Sequence, residues 1–157
     1  MTDQPAPDTA TDEGITMTRV FDAARERVWR EWTEPECFAD WFGGPQSEVP
    51  VSSTSMDVRP GGELRATMFA GPERREIQWA GEFREVVEPE RLVFTITDQP
   101  DNEERDLITV VLTDLGDGRT EMRVEQSGGH MPAAGYRRAM EGWGGFFDRM
   151  RERLADA

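Results

Sequence analysis

Cysteine, histidine and tyrosine each occur once in this 157-residue chain, and lysine does not occur at all. A lone Cys37 cannot form an internal disulfide, so folding makes no demand for an oxidising compartment. Cys37 and His130 together fall short of the roughly four N and S ligands of a structural zinc site. No GxSxG, glycine-rich phosphate loop or HExxH is present, and no serine is placed to work with His130. Hydrolase, kinase and redox-cofactor chemistry is therefore not expected, nor is a metal or any other cofactor. No run approaches the roughly 20 apolar residues of a membrane helix. The first residues lack both the basic start and the apolar core of a signal peptide. A cytoplasmic location is the expectation. Bases are also scarce: 18 arginines face 32 acids, for a formal net charge of -14. Phosphate binding needs a basic face, which excludes nucleic acid as a partner and argues against an anionic membrane surface. Such acidity mainly serves solubility.

What is present is enough for one hydrophobic core. Apolar residues make up 36% of the chain and five are tryptophans, the composition of a folded domain. Residues 1–13 have almost nothing to bury and carry Asp3, Asp8, Asp12 and Glu13 without a base among them. They predict a disordered acidic tail ahead of a single domain over 14–157. Period-two spacing predicts a first strand over 15–21, with Ile15, Met17 and Phe21 on one face. Helical spacing follows over 22–33, where Val28, Trp29 and Trp32 form one stripe. A second short helix starts at Pro35 and ends before Gly43 and Gly44. Six strands are then predicted over 49–58, 63–69, 76–87, 91–97, 107–113 and 120–126. Finally Tyr136, Met140, Trp143, Phe147, Met150 and Leu154 step by three or four residues along a long helix over 132–155. Short connections make the strands an antiparallel meander, and only the terminal helix is long enough to cover its apolar face. This predicts an α+β helix-grip fold: a curved antiparallel sheet of about seven strands around a long C-terminal helix, with two short helices between strands 1 and 2.

The run Thr18-Arg19-Val20-Phe21-Asp22-Ala23-Ala24-Arg25-Glu26-Arg27-Val28-Trp29-Arg30-Glu31-Trp32-Thr33 resembles the opening of the heat-shock-protein-90 ATPase activator-like family, within the START-like (SRPBCC, Bet v-like) superfamily. Similar blocks continue at Trp41-Phe42-Gly43, Asp57-Val58-Arg59-Pro60-Gly61-Gly62, Gly81-Glu82-Phe83, Pro89-Glu90-Arg91-Leu92-Val93-Phe94 and Gly142-Trp143. Ala24 departs from the proline these proteins often carry there, at little cost in a helix. The resemblance implies the helix-grip fold, while a shared fold does not carry a shared function. Members named for the chaperone carry an additional N-terminal domain that makes much of the chaperone contact. Activation of that chaperone is therefore not the implied activity, although a chaperone partner stays open.

A curved sheet gripping one helix encloses more volume than side chains easily fill. The inward aromatics Trp29, Trp41, Phe42, Trp79, Phe83, Phe94, Trp143 and Phe147, with Met140, are the expected lining of a cavity there. Arg65 and Gln126 are its polar candidates. His130, in the loop before the terminal helix, is either a polar anchor at the cavity mouth or a plain exposed histidine. Gly142, Gly144 and Gly145 lie inside that helix, each costing about 1 kcal/mol relative to alanine. Close approach of the helix to the sheet, or space cleared beside Trp143 for a ligand, would offset this cost. Close packing is expected to explain two of them, and a bend beside the cavity the third. The leading reading is a binding module for a small, mostly apolar molecule. A cyclase- or aromatase-type enzyme using Arg65 or His130, and a co-chaperone-like interaction module, are the alternatives. A homodimer through an edge strand is compatible with all three.

Overall fold

A computed structural model describes residues 7–155. The expected tail over 1–6 lies outside the described residues. Two short helices, α1 (Arg25–Thr33) and α2 (Pro35–Trp41), and one long helix, α3 (Ala133–Ala155), pack against a single antiparallel sheet. The strands are β1 (Thr9–Ala10), β2 (Gly14–Phe21), β3 (Ser47–Glu48), β4 (Ser55–Met56), β5 (Glu63–Ala70), β6 (Arg75–Val87), β7 (Arg91–Ile96), β8 (Asp106–Gly116) and β9 (Arg119–Ser127). Their spatial order is β1-β2-β9-β8-β7-β6-β5-β3, with β4 also on β5. The first long strand thus lies beside the last, Met17 opposite Val124. Helices α1 and α2 carry the chain from that side to the opposite edge.

The sheet has nine strands rather than about seven, and both differences have local causes. The predicted strand over 49–58 is interrupted by a 3-10 turn at Val51–Ser53, which leaves only β4 within it and a separate β3 just before it. Pro50 has no N–H to give a ladder, and its carbonyl accepts from Ser53 Oγ at 2.7 Å and Thr54 Oγ1 at 3.1 Å. Residues 7–13 are not the disordered tail their composition predicts. Thr9 and Ala10 pair with Thr16 and Ile15, and Arg19 donates to Asp8 Oδ1 at 2.9 Å. Backbone pairing at a sheet edge satisfies polar groups whatever the side chains, and β2 supplies the base that the segment lacks.

Strand β6 changes partners along its length. Its first part pairs with β5 up to Glu82, and its second part with β7 from Phe83, with a register shift between Phe83 and Glu85. At the change-over stands Gly81, where a Cβ would overlap the Thr95 carbonyl oxygen, so only glycine admits this close approach. The concave face is apolar by strict alternation: Leu64, Ala66 and Met68 on β5, Ile108, Val110 and Leu112 on β8, Met122 and Val124 on β9, all buried. On α1, Trp32 anchors the centre. Its ring lies 4.8 Å from Trp41 and 6.1 Å from both Phe94 and Trp143, and its Nε1 donates to the Met122 sulfur at 3.2 Å.

Helix α3 runs unbroken through its glycines. A Cβ on Gly142 or Gly145 would meet nothing within 4 Å, and one on Gly144 only the Arg19 guanidinium at 3.9 Å. Close packing on the sheet therefore accounts for none of the three. The tight approach comes from the turn after α2, where a Cβ on Gly44 would lie 3.3 Å from the Phe146 ring and 3.5 Å from the Gly145 carbonyl carbon.

Candidate functional site

The aromatics expected to line a cavity divide into two groups. Trp29, Trp41, Phe83, Phe94 and Phe147 are buried in the packed core, none more than 5% exposed, and do not reach the cavity. They fill one end of the grip because α1 and α2 close it. Met140 is half-buried against the same core and is likewise absent from the lining. Toward the start of α3 no such helix pair covers the sheet, and a space of about 450 Å³ remains. Phe42 from the end of α2, Trp79 from β6, and Trp143 and Phe146 from α3 form its aromatic wall. Gly142 borders the same space, so its missing side chain leaves that volume open.

The opposite wall is polar. The connection from β7 to β8 contributes Thr97, Asp98, Gln99, Asn102 and Glu104, and the start of β8 contributes Asp106. Gln126 on β9 joins the two walls: its Oε1 accepts from Trp143 Nε1 at 2.8 Å and its Nε2 donates to Asp106 Oδ2 at 2.6 Å. Tyr136, fully buried on α3, donates to the same oxygen at 3.2 Å and accepts from the His130 backbone N–H at 3.3 Å. Burial foremost, together with the neighbouring Asp106, pushes the Tyr136 phenol above its ordinary value, against the backbone donors at His130 and Gly129. His130 stands at the rim, with Nδ1 3.1 Å from Glu104 Oε2 and Nε2 3.0 Å from the Arg105 carbonyl oxygen. Both ring nitrogens thus face acceptors. Gly128 makes room for this arrangement, since a Cβ there would overlap the Asp106 carboxylate.

Of the polar candidates, Gln126 and His130 reach the cavity and Arg65 does not. Arg65 points to solvent from β5 and pairs with Glu63 at 3.4 Å. The alternation that turns Leu64 and Ala66 inward turns Arg65 outward. Asp106 and Tyr136 went unrecognised as site residues. Asp106 shares parity with Ile108 and Val110, a sign of inward orientation that was present in the sequence. Asp98, Asn102 and Glu104 carry no periodic signal, because an irregular loop places them. Among the described residues no group of three or more histidine, cysteine, aspartate or glutamate side chains could hold a metal ion. No described helix is long and apolar enough to cross a membrane.

A family described as Activator of Hsp90 ATPase homolog 1-like protein matches residues 22–155. Among curated proteins none matches significantly. Solved structures share the fold at low identity. A protein from Nitrosomonas europaea is 23% identical with a TM-score of 0.77, covering 94% of this chain and 97% of its own. One from Chromobacterium violaceum is 22% identical with a TM-score of 0.78, over 90% and 96% of the two chains. A protein of the same family name from Silicibacter pomeroyi is 18% identical with a TM-score of 0.78, over 90% and 97%.

Proposed function

The chain belongs to the Activator of Hsp90 ATPase homolog 1-like family, and on that premise we propose that it binds a small, mostly apolar molecule between the sheet and α3, without a cofactor and in the cytoplasm. One observation carries the reading: a space of about 450 Å³ has an aromatic wall facing a few convergent polar groups. Small-molecule sites have this size and make-up. The helix glycine at 142 fits it, since alanine there would favour the helix by about 1 kcal/mol and meet no obstacle. Keeping the space open is a physical reason to forgo that gain.

The test uses the neutral dye N-phenyl-1-naphthylamine, whose fluorescence rises in apolar surroundings. Saturable binding near one dye per chain is expected. Gly142→Leu, which grows a side chain into the space, should weaken it about tenfold or more while circular dichroism stays native. Absence of binding, or binding indifferent to Gly142→Leu, would overturn the reading.

The cyclase- or aromatase-type alternative retains one observation, the placement of His130 beside Glu104 and Asp106. It loses Arg65, which is solvent-exposed. Turnover abolished by His130→Ala with binding retained would favour it. An interaction module asks for a contiguous apolar patch. The large exposed hydrophobics are instead dispersed: Val51 in the turn between β3 and β4, Val87 at the end of β6, and Leu107 and Leu115 at opposite ends of β8.

A further inference from the structure

The cavity is charged on one side only. Three lining residues are carboxylates, Asp98, Glu104 and Asp106, and no arginine joins them. The one base on the wall is His130, 3.1 Å from Glu104 and 3.6 Å from Asp106 Oδ1. A charged His130 offsets only one of the three. Arg105, next in the chain, turns its guanidinium onto the carbonyls of Pro100, Asn102 and Glu104. Arg75 borders an adjoining surface groove that Glu76, Asp98, Asp101, Glu103 and Glu104 also line. Asp98, Gln99, Asn102 and Glu104 border both groove and cavity, so the acidic surface continues from outside to inside. A concave surface of one sign concentrates ions of the other at its mouth.

Asp106 is the built part of this wall. It is 8% exposed, and both of its hydrogen bonds, from Gln126 and Tyr136, fall on Oδ2. Oδ1 lies against Gly128 and makes no hydrogen bond among the described residues. A buried carboxylate whose second oxygen lies only 3.6 Å from His130 Nε2 and accepts no hydrogen bond is suited to a charged donor.

Resting on the reading that the cavity is a binding site, we infer that its ligand carries an amine: a protonated ammonium head at Asp98, Glu104 and Asp106, and an apolar body against Phe42, Trp79, Trp143 and Phe146. The ammonium would donate charge-assisted hydrogen bonds to the carboxylates, and its neighbouring methylenes would lie on the ring faces. A carboxylate or phosphate of the same shape would be repelled, so the wall discriminates by sign as well as by shape.

Calorimetric titration of the full chain at low ionic strength with 4-phenylbutylamine, 4-phenylbutan-1-ol and 4-phenylbutanoate tests this. The three share one apolar body and differ in head-group charge. The amine is expected to bind about tenfold or more tighter than the alcohol, and the acid weakest. The amine's advantage should shrink in the Asp98→Asn, Glu104→Gln double variant and in Asp106→Asn, which keeps the side-chain shape. An alcohol bound as tightly as the amine, a preferred acid, or an advantage untouched by all these substitutions would overturn the inference and leave the cavity's binding role standing. No binding of any of the three at millimolar concentration would overturn the binding role itself.

Discussion

Tyr136 is the only tyrosine of the chain, so its ionisation can be followed without interference from a second phenol. Its hydroxyl bridges the His130 backbone and the Asp106 carboxylate at the end of the cavity where α3 begins. Burial and the Asp106 charge raise it above the ordinary value of 10.0, which means that the fold favours the neutral phenol. The stabilisation is therefore complete below the unfolded-chain value and is lost as pH rises through the higher folded-state value. Phenolate absorbance of the native protein should appear at higher pH than in the urea-unfolded chain. A native midpoint at or below the unfolded one would contradict the burial. Removing the hydroxyl in Tyr136→Phe should lower stability at neutral pH by about 1.5–3 kcal/mol in urea denaturation, the range for a hydrogen bond to a charged group.

At the scale of elements, a cluster of charges holds the end of α3 to α1 and α2. Arg153 Nε and Nη2 grip Glu31 at 2.7 and 3.1 Å, and Glu31 is buried. Arg153 also bonds Asp40, which Arg149 reaches at 3.1 Å. Burial by itself would raise Asp40, yet the hydrogen bonds from Arg153 and Arg149 outweigh it and hold the carboxyl below its ordinary value. Its share of the clamp is thus present above the ordinary carboxylate range and lost as pH falls through the folded-state value. Nearby, burial first and then Glu31 push the Cys37 thiol up, so this cysteine stays in the unreactive protonated form. Arg153→Met should lower stability by about 3 kcal/mol, because it leaves Glu31 buried without its partner. Arg153→Lys should recover only part of that loss, since an ammonium cannot make the paired contact. Equal stability of Arg153→Met and the parent protein in urea would show that the clamp contributes nothing.

At the scale of the whole molecule, the formal charge of -14 sets the response to salt. Most ion pairs are exposed, such as Arg59 with Asp57 and Arg74 with Glu48, and each such pair contributes little. Repulsion among the excess acids acts over the entire surface and is screened by added salt. The midpoint of thermal unfolding should therefore rise as sodium chloride is added at neutral pH. A fall would mean that the ion pairs, including the Arg153 clamp, outweigh the net repulsion.

The sequence by itself determined the α+β class, the order of the long elements, the inward faces of the strands and the stripe of α3, because periodicity is a property of neighbouring residues. The same parity contained the outward turn of Arg65 and the inward turn of Asp106, although only the structure made both plain. Composition misjudged residues 7–13, since strand pairing and the Asp8–Arg19 contact depend on residues elsewhere in the chain. Only the tertiary structure decided which aromatics pack and which border empty space. Trp41 and Phe42 are adjacent in sequence, yet one is sealed in the core and the other borders the cavity. Local pattern can say that a side chain points inward, but whether the interior is filled at that point depends on how far α1 and α2 extend over the sheet. The acidic wall is of the same kind. Its residues come from an aperiodic loop and a strand end, and they became one surface only when the meander brought them opposite α3.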